Sequence, residues 1–198
     1  MIVVVQMGFP CISVTSQQEG ADRVLTLRQA KFVGDGSSDG GKSRWHVPIS
    51  VTSAASPNSP VKVMMDREAE VTTVRLPGVS TSAWVKLNPG VVGFYRVNYA
   101  DPEDLARLCE AVSSGALQAV DRLNVLDDLF SLIAAGKAKT VDGLRLLKSY
   151  KQEESYIVWN NVAQQLAKIS VIIADKEFYA DWQRFKLDLF SVIKVKLQ

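Results

Sequence analysis

Histidine is nearly missing from this chain: His46 is the only one in 198 residues. A catalytic zinc site takes about three protein ligands, mostly histidine, with one position left open. One histidine and two distant cysteines, Cys11 and Cys109, do not supply that set, and no H-E-x-x-H occurs. A Ser-His-Asp arrangement would depend on His46, and there is no G-x-S-x-G elbow to present the serine. The two cysteines fall in different halves of the chain, so they read as reduced, partly buried thiols rather than a disulfide framework. That usage fits a reducing compartment. No N-x-Ser/Thr acceptor is present, since Asn58-Ser59 is followed by Pro60. No run approaches the ~18 apolar residues of a membrane span. Met1 to Pro10 has neither a basic start nor the apolar length of a signal peptide. The cytoplasm is the expected location. A net charge of +2, without clustered Lys and Arg among aromatics, gives no electrostatic case for nucleic acid or a membrane surface.

What is present has two periods. Before Asp101, apolar residues recur every second position. In Arg44 to Thr52, Trp45, Val47, Ile49 and Val51 point one way and the polar residues the other. Pro48 marks an edge position or an irregularity there, because it has no N–H for the ladder. Similar stretches are Cys11–Val14, Val24–Phe32, Val61–Met65, Val71–Leu76, Trp84–Leu87 and Val91–Tyr99. The segments Ser16–Gly20, Gly34–Ser43, Ser53–Pro60, Pro77–Ser82 and Asn88–Gly90 read as turns, with Gly34–Ser43 a long hairpin loop. About seven short strands with no helix between them predict an antiparallel β-sandwich over residues 1–100.

After Asp101 the spacing becomes three or four. Asp101-Pro102 is a helix start, followed by Glu103 and Asp104 at the positive helix end. Leu105, Leu108 and Val112 form a stripe that Gly115 stops. A second helix runs from about Val120 to Ala135, ahead of Gly136. Thr140 can cap a third. Trp159, Val162, Leu166, Ile169 and Ile173 line a fourth. Asp175 can cap a fifth, bearing Phe178, Trp182, Phe185 and Leu189. Five amphipathic helices with short loops predict stacked α-helical hairpins, solenoid-like, over 101–198.

The remaining polar residues read as structural. His46 falls on the solvent face of its strand. Asp127-Asp128 and Glu153-Glu154 read as solvated charges, Met64-Met65 as core filler, and Asp121-Arg122 as a helix-start ion pair. On this reading no residue is catalytic, binds a cofactor or ligates a metal. The stretch Gly93–Tyr99 is bulky on both faces, Tyr95, Val97 and Tyr99 on one and Phe94, Arg96 and Asn98 on the other. It is therefore expected to be covered on two sides. Arg96, once covered, needs a carboxylate or carbonyl partner.

Several stretches in order resemble the aminopeptidase N-type zinc metallopeptidases, especially the puromycin-sensitive type. They are Gln6-Met7-Gly8-Phe9-Pro10, preceded here by Ile2-Val3-Val4-Val5 where the family usually carries Trp-Thr, then Leu27-Arg28-Gln29-Ala30-Lys31-Phe32 and Trp45-His46-Val47-Pro48-Ile49. Trp84-Val85-Lys86-Leu87-Asn88, Gly93 to Tyr99, Asp121-Arg122, Asp127 to Leu132 and Tyr156-Ile157-Val158-Trp159 follow. The resemblance implies an enzyme that removes N-terminal residues from peptides with zinc-activated water. It also implies that the zinc domain lies upstream and has no counterpart here, so this stretch is inactive alone. The implied partners are the missing catalytic domain or a second copy of the chain, with peptides bound by the whole enzyme. The alternative reading is a stand-alone protein-binding module.

Overall fold

The computed structural model describes residues 7–196, with side chains as far as 192. Ile2 to Val5, Gln6 and the side chain of Ile193 lie outside the described residues. The strands are β1 (Pro10–Glu19), β2 (Asp22–Lys31), β3 (Val47–Ser53), β4 (Ser56–Met65), β5 (Thr72–Leu76), β6 (Val85–Leu87) and β7 (Arg96–Tyr99). The helices are α1 (Pro102–Ser113), α2 (Ala119–Ala134), α3 (Thr140–Lys148), α4 (Tyr156–Ile172) and α5 (Tyr179–Lys196). Strands precede helices, as the switch in period predicts.

Among the described residues the strands form two sheets, ordered β5-β2-β1-β7 and β4-β3-β6. Pairing is antiparallel except between β1 and β7, which run parallel with Cys11 opposite Arg96 and Val14 opposite Tyr99. The expected all-antiparallel arrangement is corrected there. A parallel pair needs a long crossover, and the whole of β2 to β6 supplies it.

Two predicted turns are strands. Ser16 to Glu19 continues β1, and the hairpin turns only at Gly20-Ala21. Ser56 to Pro60 opens β4, an edge strand that is mostly exposed. Polar residues hid the first, and polar residues with prolines the second; β4 is an edge strand and β1 beyond Val14 is paired only with β2, so few side chains there need burial. Gly34–Ser43 is not a hairpin loop, because β2 and β3 belong to different sheets. It crosses between them and lies against the end of α2. A Cβ on Gly36, at φ +81°, would stand 2.5 Å from the Ala135 carbonyl. Pro48 pairs with Met64 on β4, while β6 reaches only Val51 to Ser53, so the missing N–H falls where β3 is locally an edge.

Ile12, Leu25, Leu27 and Val97 of one sheet share a core with Ile49, Val51, Met65 and Leu87 of the other. Met65 is 1% exposed and its neighbour Met64 62%, so only one of the pair fills core. Leu108, Leu126, Phe130, Leu147, Val162 and Trp182 make a second core among the helices. Asp101 caps α1 by accepting from the Glu103 amide at 2.9 Å. Thr140 is not a cap, since Lys139 holds that position and makes no side-chain cap bond. Nor does Asp175 cap α5, which begins only at Tyr179.

The α4 and α5 stripes meet. Trp159 lies 5.3 Å from the Phe190 ring, and the Trp182 indole donates to Ser170 Oγ at 2.8 Å. Phe190 is therefore partly buried. Phe178, expected in the α5 stripe, is 53% exposed, as it precedes the helix.

Candidate functional site

The polar chemistry of this chain gathers where the sheets meet α1 and α2. Three ion clusters cross that junction, and each begins with a residue that cannot be left unpaired once covered.

The first joins β2 to α1. Arg23 is 1% exposed; it donates to Asp104, to Ser16 Oγ at 3.0 Å and to the Ala83 carbonyl at 2.6 Å. Asp104 thus does more than complement a helix end.

The second is centred on Lys86 of β6, also 1% exposed. Its ammonium donates to the Leu87 carbonyl at 2.5 Å and to Asn124 Oδ1 of α2 at 2.8 Å. Asp121 of α2 lies 3.8 Å away and accepts from the Gly90 amide at 2.8 Å. Burial pushes the Lys86 ammonium down to about 8, against the opposing pull of Asp121 and Asp128. Asn88, fully buried at φ 57°, clamps the following turn: its amide donates to the Gly93 carbonyl at 2.8 Å and accepts from the Gly93 N–H at 2.7 Å. No side chain fits at Gly93, where a Cβ would stand 2.3 Å from the Tyr95 ring.

The third ties β7 to α2. Arg96 donates to Asp127 at 2.7 Å and to Asp128 at 3.0 Å. Asp128 also accepts from the Val97 amide at 3.0 Å and from Asn124 at 3.2 Å. The Asp128 side chain is 5% exposed, and burial outweighs these bonds, raising its carboxyl to about 6. The Arg96 guanidinium also lies 5.0 Å from the Phe32 ring centroid. Beside the cluster sits a cavity of about 300 Å³ lined in part by Val97, Tyr99, Asp128, Leu132 and Lys137. The Tyr99 hydroxyl accepts from the Leu87 amide at 3.0 Å, a bond from β7 to the other sheet.

The expected partner for Arg96 is therefore present, but the supposedly solvated Asp127-Asp128 pair supplies it. Glu153 is corrected in the same way. It is 8% exposed and accepts two bonds of 2.6 Å from Arg122, while Glu154 faces solvent. Asp121 and Arg122 do not pair with each other; one reaches β6 and the other the α3–α4 connection. Sequence reasoning missed Arg23, Lys86, Asn88 and Asn124. Lys86 and Asn88 stood within a quoted motif, whereas nothing local marks Arg23 or Asn124.

These clusters hold sheet and helix surfaces together. His46 is exposed, with Nδ1 3.7 Å from Asp66. Cys11 and Cys109 are both free, and burial raises the Cys11 thiol to about 12, far from a nucleophile. Among the described residues, no group of three or more His, Cys, Asp or Glu is placed to hold a metal. No helix there is long and apolar enough to cross a membrane.

Residues 84–198 match the family model of the ERAP1-like C-terminal domain. The chain is 35% identical over 167 residues to puromycin-sensitive aminopeptidase of Caenorhabditis elegans, covering 83% of this chain and 17% of the relative. Aminopeptidase M1-A of Oryza sativa subsp. japonica is 32% identical over 193 residues, 94% of this chain and 21% of its own length. Glutamyl aminopeptidase of Homo sapiens is 29% identical over 177 residues, 88% and 18%. The chain spans about a fifth of the length of these relatives. The family match begins at Trp84, so it takes in β6, β7 and every helix that makes the ion-clustered junction. This chain belongs to the ERAP1-like C-terminal domain family, as a C-terminal-type portion of the M1 aminopeptidase kind.

Proposed function

We propose that this chain is the non-catalytic stretch of a zinc-dependent aminopeptidase that removes N-terminal residues from peptides. The zinc centre then belongs to polypeptide outside these 198 residues. The observation that carries this reading is the family match over 84–198 together with coverage of only a fifth of each aminopeptidase. The single histidine supports it. No residue here is assigned a catalytic, cofactor-binding or metal-ligating role.

In this reading the two sheets form a β-sandwich over 1–100, supported by the core their residues share. Residues 101–198 begin a solenoid-like helical stack, supported by the apolar core common to the five helices. The chain's task is to hold those helices at a fixed angle to the sheets. Its partners are the catalytic part of the same enzyme or a second copy of itself, and its compartment is the cytoplasm, in keeping with two free thiols. A second reading, a stand-alone binding module, draws on exposed apolar side chains at Val171, Ile172, Phe178 and Leu187.

Sequencing the complete transcript tests the choice. An in-frame upstream segment encoding H-E-x-x-H is the expected result. A transcript that ends close to this chain without one would favour the binding module.

A further inference from the structure

We infer that the cavity where β7, α1, α2 and α3 meet is a binding site for one free apolar amino acid, its α-ammonium held at Asp128 and its α-carboxylate at Lys137 and Lys139.

The cavity, about 300 Å³, stands at the small end of the range for ligand sites, which suits one amino acid better than a longer peptide. Its floor is apolar: Val97, Val125, Leu129 and Leu132 line it and are buried. Its charges are separated by depth. The Asp128 side chain, 5% exposed, belongs to the wall, whereas Lys137 and Lys139 are exposed and form the rim. A zwitterion carrying an apolar side chain matches all three features. A phosphate would bring like charge to Asp128, and an amine without a carboxylate would leave the lysines unmet.

Each charged group has capacity for the ligand. Asp128 Oδ2 accepts from the Val97 amide and from Asn124, while Oδ1 accepts only from Arg96. These donors favour the ionised form. A carboxylate offers about four lone-pair sites, so one at Oδ1 is left for an ammonium. Arg96 does not neutralise Asp128 alone, because the same nitrogen also serves Asp127 at 2.7 Å. At the rim, Lys137 lies over the Phe32 ring, 5.9 Å from its centroid, and Lys139 has no ion-pair partner among the described residues. Asp142 also lines the cavity, but Arg145 engages it at 3.1 Å. No side chain caps α3, so the positive end of that helix adds to the pull on a carboxylate.

Such a ligand touches a strand and three helices at once, so occupancy ties the helical half to the sheets and stabilises the chain by mass action. That free amino acids are made close to this cavity rests on the aminopeptidase reading above; the binding itself does not.

The experiment is titration calorimetry and thermal melting of the purified 198-residue chain with L-leucine, leucinamide and N-acetyl-leucine at neutral pH. Leucine should bind saturably, with a roughly millimolar dissociation constant, and raise the melting temperature. Leucinamide and N-acetyl-leucine, each lacking one charge, should bind about tenfold more weakly or worse, as should leucine to the Lys137→Met, Lys139→Met double variant. An absence of saturable leucine binding overturns the proposal, and so do equal affinities for leucine and leucinamide or an unchanged affinity in the double variant. If that variant melts early, the comparison of the three ligands on the wild type decides. None of these readouts involves peptide hydrolysis, so failure here is separate from failure of the aminopeptidase reading.

Discussion

Arg96 and Asp128 meet at 3.0 Å across the boundary between sheet and helix, and the same Arg96 nitrogen reaches Asp127 at 2.7 Å. The two carboxylates are neighbours in sequence but not in energy. Asp127 is nearly half exposed and Asp128 is buried. Arg96→Met strands a buried charge and should cost about 2–4 kcal/mol, less than a fully enclosed pair because the arginine keeps some solvent contact. Asp127→Asn should cost under about 1 kcal/mol. Urea unfolding of both variants measures the contrast, and equal losses would contradict it.

The Arg122–Glu153 pair makes stability depend on pH. Burial pushes the Glu153 carboxyl up, but Arg122 and the Ser155 and Glu154 amides prevail and hold it below the ordinary glutamate range. A group whose folded value is depressed contributes stability above its unfolded value, lost as pH falls through the folded one. The benefit of this pair is thus present at neutral pH and fades below about pH 4.5. Arg122→Met should lower stability by about 3 kcal/mol at pH 7, with the deficit shrinking in acid. Melting curves at several pH values would show it; a deficit that grows in acid would be the wrong sign.

The turn from Asn88 to Gly93 stores strain. Val91 sits at φ 57°, a region that a β-branched residue enters at a cost of about 1–2 kcal/mol. Val91→Gly should therefore stabilise the chain slightly, by about 0.5–1 kcal/mol after the entropy of glycine is counted. Gly93→Ala should destabilise it by about 1–3 kcal/mol, since the new methyl meets the Tyr95 ring. Thermal melts of the two variants shifting in the same direction would refute this account of the turn.

How much of this was legible in the sequence follows from what each residue does. Strong periodicity revealed α1, α2 and the Val47–Val51 face of β3, because burial of one face imposes that spacing. Polar strands such as Ser16–Glu19 escaped, since their backbone ladder needs no apolar side chain. The buried partners Asp128 and Glu153 also escaped. Each adjoins an exposed acid of the same kind, and only tertiary contact decides which of the two is covered. Arg96's need for a carboxylate was readable, but the cover expected on both faces of its stretch is incomplete: Tyr95 and Val97 are buried, whereas Phe94 is 82% exposed.

The helical half leaves apolar side chains in water. Val171 is 79% exposed, Ile172 72% and Leu187 72%. An apolar groove of about 390 Å³, lined by Phe130, Ile133, Ile169 and Ile172, lies near the first two. Such a surface should make the isolated chain self-associate. Sedimentation over a concentration series should show mass rising with concentration, and Ile172→Lys with Leu187→Lys should reduce it. A clean monomer at high concentration would remove the idea.

The central claim, that this chain belongs to an aminopeptidase yet holds none of its chemistry, is tested most directly by metal analysis and peptidase assay of the purified 198-residue chain. The account predicts less than stoichiometric zinc and no release of amino acids from aminoacyl substrates, with or without added zinc. One zinc per chain, together with hydrolysis abolished by a chelator, would contradict it.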